Sequence, residues 1–465
     1  MKKSYIFLIL AVKIADGDMI IVRFVLLVRR ELNTVLITLF ESQIIRNYLS
    51  DNAQFLKEIS TYNNVVIVTD KKHSPIIRGL LSSVHFDKLS IIEFNNSEYS
   101  FIFKFCSSIL KWSHKSTSIY REILSRGKSS KKAKMVMPIR MLIHLTSKRN
   151  LWIDHIFRLI ILKTFNLAKF SEYFSAKVIN PDLEEYKSVF ITSLTNIKDI
   201  HVALYAKRMN IKTIATVRSW DNLSSHGRLA ADVDIFYSHS NFMSELIREF
   251  HPHNDFEVHT LVAPNYQKYY VLGDQTKPQN TSFKIGYVCM GERVNPDDYN
   301  FINEFNALAE NFLHLTFCII QHPMFPHDIR FQLNKNVSVI QYDYEKTSLQ
   351  EYYKNLKTFD LIIGGGTSAL LDAAVLEIPV VYIGFEFKTH NYWSSALRYM
   401  DYLYHFDKFI KKTHIHICKS QSELTEIIGE GNYDFYKIDP KLVLNFSGNL
   451  NLDLNLRLTE LISYN

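Results

Sequence analysis

Short apolar runs bounded by polar and turn-forming residues recur along most of the chain and alternate with stretches of helical periodicity, a pattern that predicts parallel α/β units. Thr34 to Phe40 reads as a strand, Ile44 to Ile59 as a helix and Asn64 to Val68 as a second strand, which together make a first βαβ unit; Ile91 to Phe94 is a third strand. Residues 101–175 carry no strand pattern. They read as a helical, aromatic and basic insertion. Parallel order resumes with strands at Ser188 to Thr192, Thr213 to Val217, Asp234 to Tyr237 and Val258 to Val262, separated by helices at Asp199 to Met209 and Ser240 to Glu249.

The stretch from Leu272 to Ser282, with Gly273, Asp274, Pro278 and Asn280, has no periodicity and reads as a linker. Beyond it the pattern restarts. Lys284 to Cys289, Leu315 to Ile320 and Ser338 to Gln341 are strands, with helices at Asp297 to Phe312 and Ser348 to Leu356. Two successive βαβ halves predict an α/β chain of two Rossmann-like doubly wound domains facing a cleft. The expected boundaries are an extension at 1–32, a first domain at 33–271, a linker at 272–282 and a second domain at 283–465. The closing segment, Leu452 to Ile462, reads as a helix that crosses back to the first domain.

The densest signal lies between Asp360 and Gly384. Phe359 to Ile363 is a buried strand, Gly364, Gly365 and Gly366 allow a tight turn and close approach of a ligand, and Thr367 and Ser368 open a helix. Free N–H groups at such a helix start favour anions, phosphate above all. The helix ends before Pro379, and Val380 to Ile383 is the next strand. Asp372 is the one charge in the apolar run from Ala369 to Leu376, and a carboxylate one turn beyond a phosphate site suits a ribose diol. A plain turn followed by an exposed aspartate is the alternative. The ordered sequence of strand, turn, helix and proline-led strand favours the binding site.

This unit resembles the nucleotide-sugar side of the GT-B glycosyltransferases, especially bacterial surface-polysaccharide enzymes related to CDP-glycerol glycerophosphotransferases and UDP-N-acetylglucosamine 2-epimerases. The resemblance implies that the turn touches a donor diphosphate. It also implies that an acidic residue seven positions before the proline holds the ribose, the place that Asp372 fills relative to Pro379. Glutamate is the more usual residue there. His322, in Gln321-His322-Pro323 at the end of a buried strand, matches a His-Pro pair of the related transferases and would donate to the donor phosphate.

A second cluster, Thr216-Val217-Arg218-Ser219-Trp220-Asp221-Asn222, follows a strand of the first half and so lies at a carboxyl edge. Arg218 could pair with a phosphate or carboxylate, Trp220 could stack on a sugar face, and Asp221 could accept a proton from an acceptor hydroxyl, with Asn222 beside it. The alternative is an Asx turn at Asp221 and Asn222. The stretch resembles the SWDN segment of polysaccharide-biosynthesis proteins of the same superfamily. His226, in the following loop, is a candidate base by its neutral-range titration or simply a surface residue.

Charge changes the picture in one place. The chain of 465 residues has a net charge of +7, yet Lys111 to Arg149 alone holds eleven Lys or Arg against Glu122, so the rest is slightly acidic. Aliphatic residues and methionines interleave these cations, and an anionic membrane surface is the expected partner beside the alternative of an ordinary solvated face. No nucleic-acid reader motif accompanies the run. Lys2, Lys3 and Tyr5 to Val12 imitate a leader, but Lys13, Asp16 and Asp18 interrupt it. Residues 1–32 therefore read as an extension, an overlong start or an amphipathic anchor. Cys106, Cys289, Cys318 and Cys418 follow no metal spacing and fit a reducing cytoplasm. Neither a zinc motif nor a Walker lysine is present, so no metal and no cofactor is expected beyond a nucleotide-activated donor. Asp297 and Asp298 read as carboxylates capping a helix start.

These readings imply a cytoplasmic, membrane-peripheral transferase that moves a sugar or polyol phosphate from a nucleotide-activated donor to a surface polysaccharide or lipid-linked precursor. The alternatives are an isomerase or hydrolase of the 2-epimerase type and a non-catalytic partner in polysaccharide assembly.

Overall fold

The computed structural model describes residues 33–94, 186–266, 282–387 and 403–448, apart from a few positions within them, together with two strands nearer the start and isolated positions elsewhere. Strands β1 (Ile6–Lys13) and β2 (Met19–Leu26) form a separate antiparallel pair in the register Ile6 to Leu26. All but Ser282 of the predicted linker, most of the basic insertion and most of the predicted closing helix fall outside the described residues.

The first half contains, in chain order, β3 (Asn33–Thr38), α1 (Ser42–Leu49), α2 (Gln54–Tyr62), β4 (Asn63–Asp70), α3 (Ser74–Leu81) and β5 (Leu89–Phe94). It continues through β6 (Tyr186–Ile191), α4 (Ile197–Arg208), β7 (Lys212–Ala215), α5 (Asn222–Ser225), β8 (Ile235–Ser238), α6 (Asn241–Phe250) and β9 (Glu257–Thr260). The second half contains β10 (Lys284–Val288), α7 (Asp298–Leu308), β11 (Thr316–Gln321), β12 (Val337–Gln341), α8 (Leu349–Leu356), β13 (Leu361–Gly364), α9 (Ser368–Val375) and β14 (Val380–Ile383). It closes with α10 (Tyr404–Thr413), β15 (His416–Cys418), α11 (Gln421–Gly429) and α12 (Pro440–Ser447).

All strand pairs in the two large sheets are parallel. Their orders are β5-β4-β3-β6-β7-β8-β9 and β12-β11-β10-β13-β14-β15. In each, the first strand of the half lies inside, the next two extend one way and the remainder the other, the doubly wound order with a switch point between β3 and β6 and another between β10 and β13. The expected fold, two Rossmann-like α/β halves, is what the chain forms. Strands buried on both faces read as unbroken apolar runs, which is why β13 and β14, buried throughout, were legible.

Two helices of the second half pack on the first. Tyr404 of α10 donates to Glu249 and sits edge-on to Phe250, while Lys412 pairs with Glu245 at 2.8 Å. Beyond α12, Gly448 bridges Val262 and Ser447 accepts from Ala263. Crossing back is thus the work of α10 and α12. Of the predicted closing helix, Arg457 and Glu460 are described, helical and paired at 2.8 Å.

Candidate functional site

The second switch point is built from three loops at the carboxyl edge of the sheet. Gly364 ends β13 between Val288 and Tyr382, where a Cβ would lie 3.2 Å from the carbonyl of Val288. Gly365 faces Met290, whose Sδ would be 2.6 Å from a Cβ. Gly366 and Thr367 are partly exposed and Ser368 is open to solvent. Thr367 is the N-cap of α9, its hydroxyl accepting from Ala369 at 3.4 Å. An apolar helix that starts on a glycine turn leaves its first N–H groups directed past the strand end, an arrangement that suits a phosphate.

His322 follows β11 on the same edge. Its Nδ1 accepts from the backbone N–H groups of Met324 at 3.1 Å and Phe325 at 3.2 Å, and its ring stacks on Phe325. With Nδ1 committed as an acceptor, the proton of the neutral ring belongs on Nε2, ready to donate outward. Burial lowers the imidazole's pKa, and His327 adds to this, against the attraction of Asp298.

Asp372, one turn into α9, is half-buried and accepts from Tyr352 Oη at 2.9 Å and from Tyr266. Burial pushes its carboxyl up to about 6, against those two hydrogen bonds and the charge of Arg46 on α1. Arg46 and Tyr266 belong to the first half, so the helices leaving β3 and β13 converge at this carboxylate.

The first switch point carries residues that pattern reading missed. Glu41, just past β3, accepts from Ser193 at 3.0 Å, Asn196 at 3.1 Å and Arg218 Nη1 at 2.6 Å. Burial opposes its charge, but Arg218 and the three hydrogen bonds outweigh it and lower the pKa. Beneath it Asp199 is fully buried and accepts from Thr38; burial raises its carboxyl well above the usual range. The signal available in sequence was only that Glu41 is the first acid after a strand. Its partners lie more than 150 residues away.

Arg218 is therefore at the carboxyl edge as predicted, held by Glu41. The expectation for Trp220 is corrected. Its indole is 3 % exposed and enclosed by Phe242 of the first half and His405, Phe406, Phe409 and Phe446 of the second, with centroids 5.2–6.0 Å away, so no ring face is left for a sugar. Asn222 is buried and binds the Ser219 N–H at 3.2 Å, which makes it a structural member of the turn.

Asp221 accepts from Ser225 Oγ at 3.0 Å and Asn222 at 3.3 Å. Burial opposes its charge, yet His405, His226, a hydrogen bond from Ser219 and Arg218 together bring its carboxyl down to about 2. It is ionised at any ordinary pH and lies within electrostatic reach of His226. His405, buried by α10, bonds Ser224 Oγ at 3.0 Å and is brought down to about 4, chiefly by burial.

The helix-start reading of Asp297 and Asp298 is also corrected. Asp297 makes no cap bond; it accepts from Asn300 and from the Phe387 N–H. Asp298 binds residues of two other loops. Among the described residues no group of His, Cys, Asp and Glu could hold a metal ion, and Cys289, Cys318 and Cys418 are buried free thiols.

The fold and this site define a two-domain, doubly wound α/β protein with a glycine turn and a histidine at the carboxyl edge of its second sheet. No family model matches the chain, and no curated protein matches it. Among solved structures it is similar to the UDP-GlcNAc 2-epimerase of Neisseria meningitidis bound to UDP-GlcNAc, at 13% identity and a TM-score of 0.48 over 92% of this chain and 99% of that one. It is also similar to the UDP-GlcNAc 2-epimerase of Methanocaldococcus jannaschii in complex with UDP-GlcNAc and UDP, at 11% identity and 0.45 over 93% and 100%. The glycosyltransferase SnogD of Streptomyces nogalater matches at 11% identity and 0.44 over 93% and 99%.

Proposed function

We propose that the chain is a transferase of the GT-B type, which binds a nucleotide-activated sugar or polyol at the second switch point and transfers it to a surface polysaccharide or lipid-linked precursor. The observation that carries this reading is that the Gly364–Ser368 turn, the N-terminus of α9 and His322 lie on one carboxyl edge of the second sheet, with Asp372 one turn beyond. Backbone amides and an imidazole N–H suit a leaving diphosphate, whose developing charge they stabilise without a metal ligand set. Asp372 suits a ribose diol once ionised.

On the acceptor side, Asp221 is too acidic to take a proton readily. It serves better to orient and stabilise the charged form of His226, which then acts as the base toward an acceptor hydroxyl. Arg218 and Glu41 present a polar edge suited to a hydroxyl-rich acceptor. The basic segment from Lys111 to Arg149 supports a place at an anionic membrane surface. Among the described residues no helix is long and apolar enough to cross a membrane. Ile139 and Leu142, three apart in the basic segment, are 58% and 63% exposed.

The test is incubation with radiolabelled UDP- and CDP-activated donors, with and without lipid-linked acceptor. Acceptor-dependent product supports transfer. An altered free sugar formed without acceptor replaces it with epimerisation or hydrolysis, and no turnover with any donor favours a non-catalytic assembly role.

A further inference from the structure

The loops after β10 and β11, which lie side by side on one side of the glycine turn, are tied to one buried carboxylate with no part in the chemistry above. Asp298, fully buried in the first turn of α7, accepts from Tyr287 Oη at 2.5 Å, from the Gly291 N–H at 2.9 Å and makes a 2.8 Å contact with His327 Nε2. Each partner fixes a different piece. Tyr287 lies inside β10, Gly291 is in the loop that follows it, and His327 lies in the loop that His322 begins. That second loop is stapled across its base, with the His327 N–H donating to Gln321 Oε1 at 2.9 Å and Gln321 Nε2 donating to the His327 carbonyl at 3.2 Å.

The two loops also touch. Gly291 has φ +87°, and a Cβ there would lie 2.8 Å from the Phe325 carbonyl and 3.2 Å from His322 Cβ. Gly291 is therefore the close-packed wall behind His322, and the Asp298 carboxylate holds that wall by its N–H. A buried carboxylate with three partners resists rearrangement, because each lost bond leaves a charged acceptor desolvated.

We propose that Asp298 is a positioning residue of the donor-phosphate site, acting through His322 by clamping the loops that hold its Nδ1 as an acceptor and aim its Nε2–H at the glycine turn. This inference rests on the donor-site reading. The carboxylate also adds a field at the imidazole, attracting its positive charge where burial and His327 oppose it.

The experiment is a double-mutant cycle read by calorimetric titration with UDP, CDP and inorganic pyrophosphate, the last as a probe free of base and ribose. His322→Ala, Asp298→Asn and their combination are compared with the wild type. The expectation is a loss of about tenfold or more in affinity for Asp298→Asn, with the double variant no weaker than His322→Ala alone. Binding of all three probes unchanged by His322→Ala overturns the donor-site reading and this inference with it. If His322→Ala weakens binding but Asp298→Asn does not, or the two losses add in full, the positioning role fails while the donor site stands.

A spectroscopic readout covers the case in which Asp298→Asn does not fold. Imidazole nitrogen resonances report the tautomer of His322 directly, and Tyr287→Phe removes one clamp bond while keeping the ring in the core. A shift from a single Nε2–H tautomer toward a mixture in that variant supports the clamp. An unchanged single tautomer contradicts it.

Discussion

The carboxylate of Asp372 meets residues of both halves, Tyr352 of the second and Tyr266 and Arg46 of the first. Its carboxyl is pushed up to about 6 because burial disfavours the charge, against the two hydrogen bonds from Tyr352 and Tyr266. A ribose diol needs the carboxylate as acceptor. Ribonucleotide affinity should therefore rise as pH increases from 5 through about 6 and level off above it, the sign expected when a ligand selects the deprotonated form. Asp372→Asn should flatten that profile and weaken ribonucleotide binding by about 1–3 kcal/mol at neutral pH, as read by titration calorimetry. An equal loss for pyrophosphate would remove Asp372 from the ribose role. Asp221→Asn should act differently. It removes the charge that stabilises protonated His226, so turnover should fall about 100-fold with donor affinity little changed. Retained specific activity with a lower melting temperature would leave Asp221 a turn residue only.

Among elements, the crossing helices α10 and α12 carry the union of the halves. Gly448, just past α12, has φ +90° and would place a Cβ 2.2 Å from the His239 carbonyl and 2.6 Å from that of Leu261. Gly448→Ala thus combines left-handed strain, about 1–2 kcal/mol, with a backbone clash that only separation of the chain from β8 and β9 relieves. The predicted result is a lower melting temperature for the union of the halves, with the second sheet still able to bind nucleotide. A variant that melts like the wild type would show that the Val262–Gly448 bridge carries no weight.

What was legible in the sequence divides along the same line. Strands such as β13 and β14 announce themselves because burial on both faces demands an apolar run, and the glycine turn because no other residue approaches Met290 and Val288 so closely. Pairing across large sequence distances leaves no local mark. Asp298 looked like a helix cap because its position says so, yet its partners lie at 287, 291 and 327. Trp220 looked like a sugar platform because a strand-end aromatic often is one, and only α10 and α12 folding back reveal that it belongs to a core. A helical pattern predicts that α10 will bury one face. It does not say against what.

For the whole molecule, Arg46 and Tyr266 of the first half meet Asp372 of the second, an arrangement consistent with the proposal that both halves serve one ligand. The proposed task of the basic segment, attachment to an anionic membrane surface, is tested separately. Replacing Lys131, Lys132 and Lys134 with Glu should remove most co-sedimentation with anionic liposomes at low salt, since each cation near such a surface contributes about 1 kcal/mol. High salt should do the same to the wild type. Binding that survives both would make the segment a solvated face and detach the lipid-linked acceptor from the account.

The central claim is that the glycine turn holds a nucleoside diphosphate. A melting screen of the wild type and Gly365→Val against UDP, CDP, GDP, dTDP and their sugars tests it most directly. Valine at 365 must displace the buried Met290 side chain or shift the backbone of the turn that leads to the first amides of α9, so the variant should fold but bind nothing. At 100 times its dissociation constant, a bound nucleotide should stabilise the wild type by about 2.7 kcal/mol, a plainly visible shift that the variant lacks. A wild type unmoved by every nucleotide, or a variant shifted as far as the wild type, would contradict the account.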